Sequence, residues 1–352
     1  MREYLYSLAT DRRGGFIAGF LKILLFILSL IYGLAVRILS FIYQIRPYRL
    51  DCKVISIGNI TLGGTGKTSL VEFISRHLRQ QGHKVVILSR GYGGHKLRGF
   101  PDYRTMGDEP YMLSRNLVDI PVVVNKDRIR GSKEAIHDFQ TDTAILDDGF
   151  QQWRIKKDLE IVTVDATNPF GNLRLLPRGI LREPISSLKR ADIFVLTKVN
   201  LNPDTQNIKS ILNRINPEAL IVEAAYKPEG FYKLGESRDA LMDPEGFRGR
   251  QVCLVCGIAD PQSFERLISN LGIDICLSFR FPDHYLYTQQ DISRVIGESK
   301  QKGVNTIITS EKDAVRLSGL SHKPADVDCL VLRIRLELFQ NEIFIKRIHS
   351  LY

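Results

Sequence analysis

The sequence predicts an α/β protein: a P-loop NTPase-like, mostly parallel sheet with helices on both faces, an N-terminal amphipathic membrane helix, and a smaller C-terminal α/β domain. Three observations carry this expectation. The glycine-rich loop Gly63-Gly64-Thr65-Gly66-Lys67-Thr68 stands between a β-rich run and a helix pattern. Apolar runs of strand length recur beyond it, as they do when strands are buried on both faces of a parallel sheet. The first fifty residues hold a long apolar stretch with one polar stripe. The expected division is a membrane helix at 1–50, a P-loop core at 51–165, a Pro-, Gly- and Arg-rich linker at 166–184, and a C-terminal domain at 185–352 that completes the site.

A length of 352 residues leaves room for about two domains of ordinary size and a real hydrophobic core. With 44% hydrophobic and 25% charged residues, the composition excludes disordered, collagen-like and repeat-dominated chains. The formal charge is +10, and the first fifty residues carry seven basic side chains against Glu3 and Asp11. Positive charge beside the most apolar segment points to anionic membrane lipids. Basic residues are not interleaved with aromatics elsewhere, which argues against nucleic acid. The five cysteines are scattered, so no disulfide framework is expected, and Cys253-x-x-Cys256 reads as part of a buried strand.

From Phe16 to Tyr43 the chain is nearly all apolar. The 14 uncharged residues between Lys22 and Arg37 make about 21 Å of helix, short of a hydrocarbon core of about 30 Å. Gly15, Gly19, Lys22, Ser29, Gly33, Arg37, Ser40 and Gln44 recur at steps of three, four or seven, which draws one stripe along a helix opposite a wide apolar face. The expectation is an interfacial helix with its basic residues at headgroup level, not a spanning one.

After Pro47 strands and helices alternate. Val54–Ile57 precedes the glycine-rich loop, and Leu70, Val71, Ile74 and Leu78 mark one face of the helix behind it. Further strands are expected at 85–88, 122–124, 144–146 and 159–164, and then at 192–196, 252–256 and 306–309. In such a loop successive backbone N–H groups surround phosphate oxygens. The lysine, Lys67, reaches the β- and γ-phosphates, and the hydroxyl of Thr68 faces Mg²⁺. Thr61, Leu62, Gly63, Gly64, Thr65, Gly66, Lys67 and Thr68 are therefore the candidate nucleotide-binding residues. The first position of the usual pattern is Thr61 rather than glycine. Asp147 and Asp148 end an apolar strand, where a P-loop protein keeps its acidic metal partner; with Thr68 they are the candidate Mg²⁺ ligands.

Two further clusters stand out. Ser89-Arg90-Gly91-Tyr92-Gly93-Gly94 follows a strand, placing an arginine beside a glycine loop. Gly107-Asp108-Glu109-Pro110 opens a helix, where Asp108 is either a cap or a functional acid. Arg90, Glu109, Arg128 and Gln151 are the candidate substrate or phosphate contacts.

These pieces together resemble one family. Gly58-Asn59 through Thr68, Ser89–Gly94, Gly107–Pro110 and Asp147-Asp148-Gly149-Phe150-Gln151 match the tetraacyldisaccharide 4′-kinases of Gram-negative bacteria. So do Leu175–Gly179 with Arg182-Glu183-Pro184, Phe281-Pro282-Asp283-His284-Tyr285, and Thr309-Ser310-Glu311-Lys312-Asp313. The resemblance implies ATP- and Mg²⁺-dependent phosphorylation of the 4′-hydroxyl of an acylated glucosamine disaccharide 1-phosphate, giving the 1,4′-bisphosphate lipid IVA of lipopolysaccharide biosynthesis. It implies a peripheral position on the cytoplasmic face of the inner membrane. No obligate protein partner is expected. The resemblance also implies that Asp108, paired with His284, activates the acceptor hydroxyl. Because the two stand in different expected domains, a working pair requires those domains to close. The family commonly has a histidine after the glutamine; here Gln152 stands there.

A rival class is a membrane-anchored regulatory GTPase or ATPase, or a nucleotide-binding module without catalysis. Thr197-Lys198-Val199-Asn200 resembles a guanine-reading motif, but it ends in Asn200 where an acid accepts the hydrogens of guanine.

Overall fold

The structure, a computed structural model, describes residues 2–91, 103–202, 204–236, 238, 240–318 and 327–352. The helices in chain order are α1 (Arg2–Ala9), α2 (Phe16–Ile45), α3 (Lys67–Gln80), α4 (Tyr103–Met106), α5 (Asp108–Asn116) and α6 (Arg128–Phe139). They continue with α7 (Gln206–Ile215), α8 (Pro261–Asn270), α9 (Gln289–Gln301), α10 (Glu311–Leu317) and α11 (Asn341–His349). The strands are β1 (Lys53–Gly58), β2 (Val85–Ser89), β3 (Val122–Val124), β4 (Thr143–Asp147), β5 (Leu159–Asp165) and β6 (Ile193–Thr197). After them come β7 (Leu220–Lys233), β8 (Gln251–Cys256), β9 (Asp274–Arg280), β10 (Thr306–Ser310) and β11 (Asp328–Leu338).

Two compact units form. One holds Met1–Arg90, Asp119–Ala225 and Leu338–Tyr352; the other holds Gly91–Val118 and Tyr226–Glu337. The linear division expected from the sequence differs in two ways. Residues 91–118 group with the second unit rather than with the P-loop core. The stretch 166–184 is no linker between units, because it folds back within the first: Leu62 N–H donates to Ile180 O at 2.8 Å and Arg182 N–H to Ile60 O at 2.7 Å. The backbone groups of this Pro-rich stretch find their partners beside the glycine-rich loop.

In the first unit the strands run in the order β3-β2-β4-β1-β5-β6-β7, every assigned pair parallel. β1 pairs with β4 from Lys53↔Thr143 to Ile57↔Asp147, so Asp147 and Asp148 emerge at the same strand end as the glycine-rich loop. Val54, Val86, Leu88, Ala144 and Leu146 pack with Ala135 of α6, while their neighbours Ile55, Ile57, Ile87 and Ile145 point the other way and are buried too. This is the both-faces burial that the all-apolar runs announce. α3 is amphipathic: Leu70, Val71, Ile74 and Leu78 are all 0% exposed, each contributing about 1.5–3 kcal/mol of burial. Their packing fixes where the helix begins, and hence where Lys67 stands.

α2 is one continuous helix of 30 residues, about 45 Å long. Its buried residues are Ala18, Ser29, Gly33 and Val36, so the small side of the stripe faces protein rather than headgroups. A Cβ on Gly33 would meet Leu175 Cδ1 at 2.6 Å, which explains why glycine stands there. Phe16, Ile17, Phe20, Ile23, Ile27, Ile31, Leu34 and Phe41 on other faces are half or more exposed. The turn before α2 is tied down by Asp11, which pairs with Lys22 at 2.7 Å and Arg178 at 2.8 Å and accepts from Asn172. Burial pushes the Asp11 carboxyl up, but Lys22, Asn172 and Arg178 outweigh it and hold it well below the usual range.

In the second unit β11, β10, β8 and β9 lie in that order with parallel pairings. Its core is built from Phe231, Val252, Leu254, Cys256, Ile268, Ile308 and Leu332. Cys253 and Cys256 are both buried in β8 and both are free thiols.

Candidate active site

In the first unit the glycine-rich loop leaves β1 at Gly58 and enters α3 at Lys67. A Cβ on Gly58 would stand 2.5 Å from the backbone N of Phe150, so only glycine fits that exit. Gly63 and Gly66 have φ of 109° and 86°, the left-handed region that glycine reaches without strain. Threonines pin the loop from below. Thr65 Oγ1 lies 2.8 Å from Thr163 Oγ1, and Thr197 Oγ1 donates to Thr65 O at 3.0 Å. The start of α3 and the glycine backbone together form an anion cradle, because their N–H groups have no helical partner upstream.

Asp148 and Arg182 dominate the electrostatics beside this cradle. Lys67 Nζ donates to Asn59 Oδ1 at 3.1 Å and lies 3.5 Å from Asp148. Arg182 grips both oxygens of Asp148, at 2.7 and 2.8 Å, and also donates to Asn59 O and Oδ1. Burial pushes the Asp148 carboxyl up, yet Lys67 and Arg182 win and hold it well below the ordinary carboxylate range. Asp147 is 3% exposed and accepts from Ser89 Oγ at 3.1 Å. Gly149 follows the two acids; a Cβ there would meet Ser56 Oγ at 2.4 Å. Thr68, Asp147 and Asp148 offer hydroxyl and carboxylate oxygens only, the hard donor set that suits Mg²⁺.

In the second unit α5 begins at Asp108, with Gly107 in the cap position at φ 89°. Asp108 therefore does not cap its helix. Its Oδ2 lies 3.0 Å from His284 Nδ1, across 176 positions of sequence. His284 sits on the loop after β9 with φ 60°, and its N–H donates to Gly257 O at 3.2 Å. The hydrogen bond to Asp108 pushes the imidazole above its ordinary value, against the effect of burial. Such a pair can take a proton from a weakly acidic hydroxyl held beside it. Glu109, one residue on, pairs with Lys312.

The remaining expectations fall out unevenly. Thr61 lies beside Asn59, whose side chain donates to its carbonyl at 2.9 Å; Leu62 is exposed and Gly64 lies in the loop. Arg90 is exposed where β2 ends; Tyr92, Gly93 and Gly94 lie outside the described residues. Arg128 is buried and spends its guanidinium on the carbonyls of Leu88 and Asp147, which is a scaffold position rather than a contact surface. Gln151 donates to Asn59 O and Glu183, each at 3.0 Å. Lys198 of the guanine-like motif gives its ammonium to Asp165 at 2.6 Å, and Asn200 lies in the short turn that follows. Arg182 and Asn59 stand inside matched motifs, yet sequence reasoning assigns them no role. Their signal was the unusual Asn and Arg next to glycine and glutamate, which only the fold turns into contacts.

A family model described as Tetraacyldisaccharide-1-P 4′-kinase matches residues 21–352. A tetraacyldisaccharide 4′-kinase of Halothermothrix orenii is 36% identical over 323 residues, 84% of either chain. Another, of Pelobacter propionicus, is 35% identical over 352 residues, covering 96% of this chain and 94% of its own. Among solved structures, the "apo" form of LpxK from Aquifex aeolicus in complex with ATP shares the fold at a TM-score of 0.75 and 27% identity, covering 94% of this chain and 99% of that one.

Proposed function

We propose the following chemistry for this chain, which belongs to the tetraacyldisaccharide-1-P 4′-kinase family: it is an ATP-dependent kinase of lipid A biosynthesis that phosphorylates the 4′-hydroxyl of an acylated glucosamine disaccharide 1-phosphate. The observation that carries this reading within the molecule is the cradle at the β1–α3 junction with two carboxylates on the adjoining strand end. Backbone N–H groups of residues 63–68 bind the phosphates, and Lys67 offsets the charge that develops on the transferring group. Thr68, Asp147 and Asp148 would hold Mg²⁺, which would supply neutralisation of phosphate charge when bound. Arg182 orients Asp148 and neutralises it, so that carboxylate adds little repulsion to an incoming triphosphate.

Asp108 and His284 serve the acceptor. A sugar hydroxyl is a poor nucleophile at neutral pH, and a carboxylate–imidazole pair takes its proton as the phosphoryl group arrives. The exposed face of α2, flanked by Arg12, Arg13, Arg37, Arg46 and Arg49, lies in the interface of the inner membrane on its cytoplasmic side, among anionic lipids. Contacts from Ser29, Tyr32, Gly33 and Val36 occupy one side of α2, and a spanning helix would have to give these up to surround itself with lipid.

The deciding experiment incubates full-length protein with labelled ATP, Mg²⁺ and vesicles containing the acylated disaccharide 1-phosphate. Label should appear in a bisphosphorylated lipid. Hydrolysis of ATP with no labelled lipid would overturn the reading in favour of a regulatory ATPase.

A further inference from the structure

Behind the Asp108–His284 pair lies a second layer of charge. Arg316 of α10 is 1% exposed and Asp313 is fully buried, with the two 2.8 Å apart. Arg316 Nε stands 3.4 Å from Asp108 Oδ2, the oxygen that faces His284 Nδ1. Its Nη1 donates to Tyr285 O at 3.1 Å, and its Nη2 to Gly257 O at 3.0 Å. Gly257 O is also the acceptor for the N–H of His284. One guanidinium thus touches the carboxylate of the pair and both backbone supports of the histidine loop.

Asp313 anchors that guanidinium. It accepts from Tyr287 Oη at 2.7 Å, Ser310 Oγ at 2.6 Å, Gly257 N–H at 2.9 Å and Arg316 Nη2. Burial outweighs its partners and raises the Asp313 carboxyl above its ordinary value. Its partners nonetheless include a guanidinium and a backbone N–H, which only donate, and the carboxylate is the form that accepts from all four. The cluster therefore holds one cation, Arg316, between two carboxylates, Asp313 and Asp108.

Resting on the reading of Asp108–His284 as the acceptor base, we propose that Arg316 is a positioning residue that fixes the geometry and the proton affinity of that pair, with Asp313 holding its guanidinium in the core. The cation lowers the affinity of the pair for a proton, and Asp313 moderates the cation. Among the described residues, other charged groups also face the pair. Asp283 lies 3.8 Å from His284 Nε2 and favours its protonated form, while Lys312, paired with Glu109, opposes it. Tyr285 gives its hydroxyl to Asp291, and Glu311 acts on Tyr232.

The test is the pH profile of kcat/KM for phosphoryl transfer by the full chain. The pair must be unprotonated to act, so the acid limb reports its proton affinity. Asp313→Asn keeps the shape and leaves Arg316 wholly to Asp108, so the limb should move to lower pH. Arg316→Gln alone strands a buried carboxylate, so the neutral double variant Asp313→Asn/Arg316→Gln is used instead. Its limb should move up by about one pH unit, the size of effect a charge at this range exerts. The KM for ATP should stay within about twofold in both, since neither residue belongs to the phosphate cradle. A merely structural role would lower turnover and Tm at every pH without moving the limb, and that result overturns the proposal. Should the double variant not fold, Asp313→Asn decides alone, and a limb at the wild-type position overturns it. Asp108→Ala and His284→Ala serve as controls. If they keep wild-type turnover, the base reading itself falls and the proposal with it; if they lose turnover while the limbs above stay put, only the proposal falls.

Discussion

Tyr32 of α2 donates its hydroxyl to the main-chain carbonyl of Arg182 at 2.8 Å, and the side chain of Arg182 clasps Asp148 beside Lys67. One hydrogen bond thus joins the apolar helix to the charged wall of the phosphate cradle. Burial pushes the Tyr32 phenol up, so it stays protonated and remains a donor. Tyr32→Phe should remove about 1 kcal/mol of stability and lower turnover several-fold. Vesicle binding should be unchanged, because the exposed face of α2 keeps all its apolar side chains. Equal losses of vesicle binding and turnover would show that Tyr32 acts through the anchor.

In the proposed chemistry Lys67 supplies the cation that the developing charge of the transferring group needs. Lys67→Ala should cost on the order of 10²-fold or more in turnover. Asp148 keeps Arg182 as a partner in that variant, so the fold should survive, and an unchanged Tm would separate lost catalysis from lost structure. Near-wild-type transfer would remove this loop from catalysis.

The glycine-rich loop was readable because its residues are contiguous between a strand and a helix, and Asp147-Asp148 because they end an apolar strand. The Asp148–Arg182 clasp was not, since it joins positions 34 apart through the fold of a segment whose composition suggests a linker. Asp108 and His284 had no local signal as a pair; only the family resemblance put them together. A linear reading also cuts the chain once between domains. This chain passes between its units at 90/91, 118/119, 225/226 and 337/338, so Asp108 was assigned to the wrong half. No closure of one unit on the other is needed to bring Asp108 to His284, because both belong to the second unit.

The exposed face of α2 is a membrane anchor if its apolar side chains carry the binding. Phe20, Ile27 and Leu34 are 67%, 50% and 59% exposed, and each is worth at least about 1.5 kcal/mol when buried. The triple variant Phe20→Glu/Ile27→Glu/Leu34→Glu should lose on the order of 10³-fold in partitioning to anionic vesicles. The protein contacts of Ser29, Tyr32, Gly33 and Val36 lie on the buried side and should persist. High salt should release the wild type in part, as expected for an interfacial helix aided by Arg12, Arg13 and Arg37. Undiminished sedimentation of the triple variant with vesicles would place the anchor elsewhere.

Two groups, the Asp148 carboxylate and the His284 imidazole, compete to explain any acid limb of activity. Asp148 is held well below its ordinary 3.8, so it stays charged throughout mild acid. His284 is raised above its ordinary 6.5 by Asp108, so its titration comes first as pH falls. A group whose folded value is raised stabilises the protein below its unfolded value, and that contribution fades as pH rises through the folded one. The stability gap between wild type and Asp108→Asn should therefore be widest below about pH 6.5 and narrow at alkaline pH. A gap that widens with rising pH would mean that His284 is not protonated against Asp108.

If Asp108 and His284 act as one base, their losses cannot add. Asp108 Oδ2 and His284 Nδ1 are 3.0 Å apart, so removing either leaves the other without its function. Asp108→Ala and His284→Ala should each lower turnover strongly, and the double variant little further. The effect should fall on kcat rather than on the KM for ATP, because neither residue belongs to the phosphate cradle. Additive losses would assign the two residues separate tasks, with Asp108 the base and His284 a contact to the acceptor sugar. The neighbouring Lys312–Glu109 pair is a useful reference: it lies in the same unit, and Lys312 acts on His284 through its charge. Lys312→Met should leave that non-additivity intact, so a Lys312→Met background in which the two losses become additive would show that the coupling runs through α10 rather than through the hydrogen bond itself.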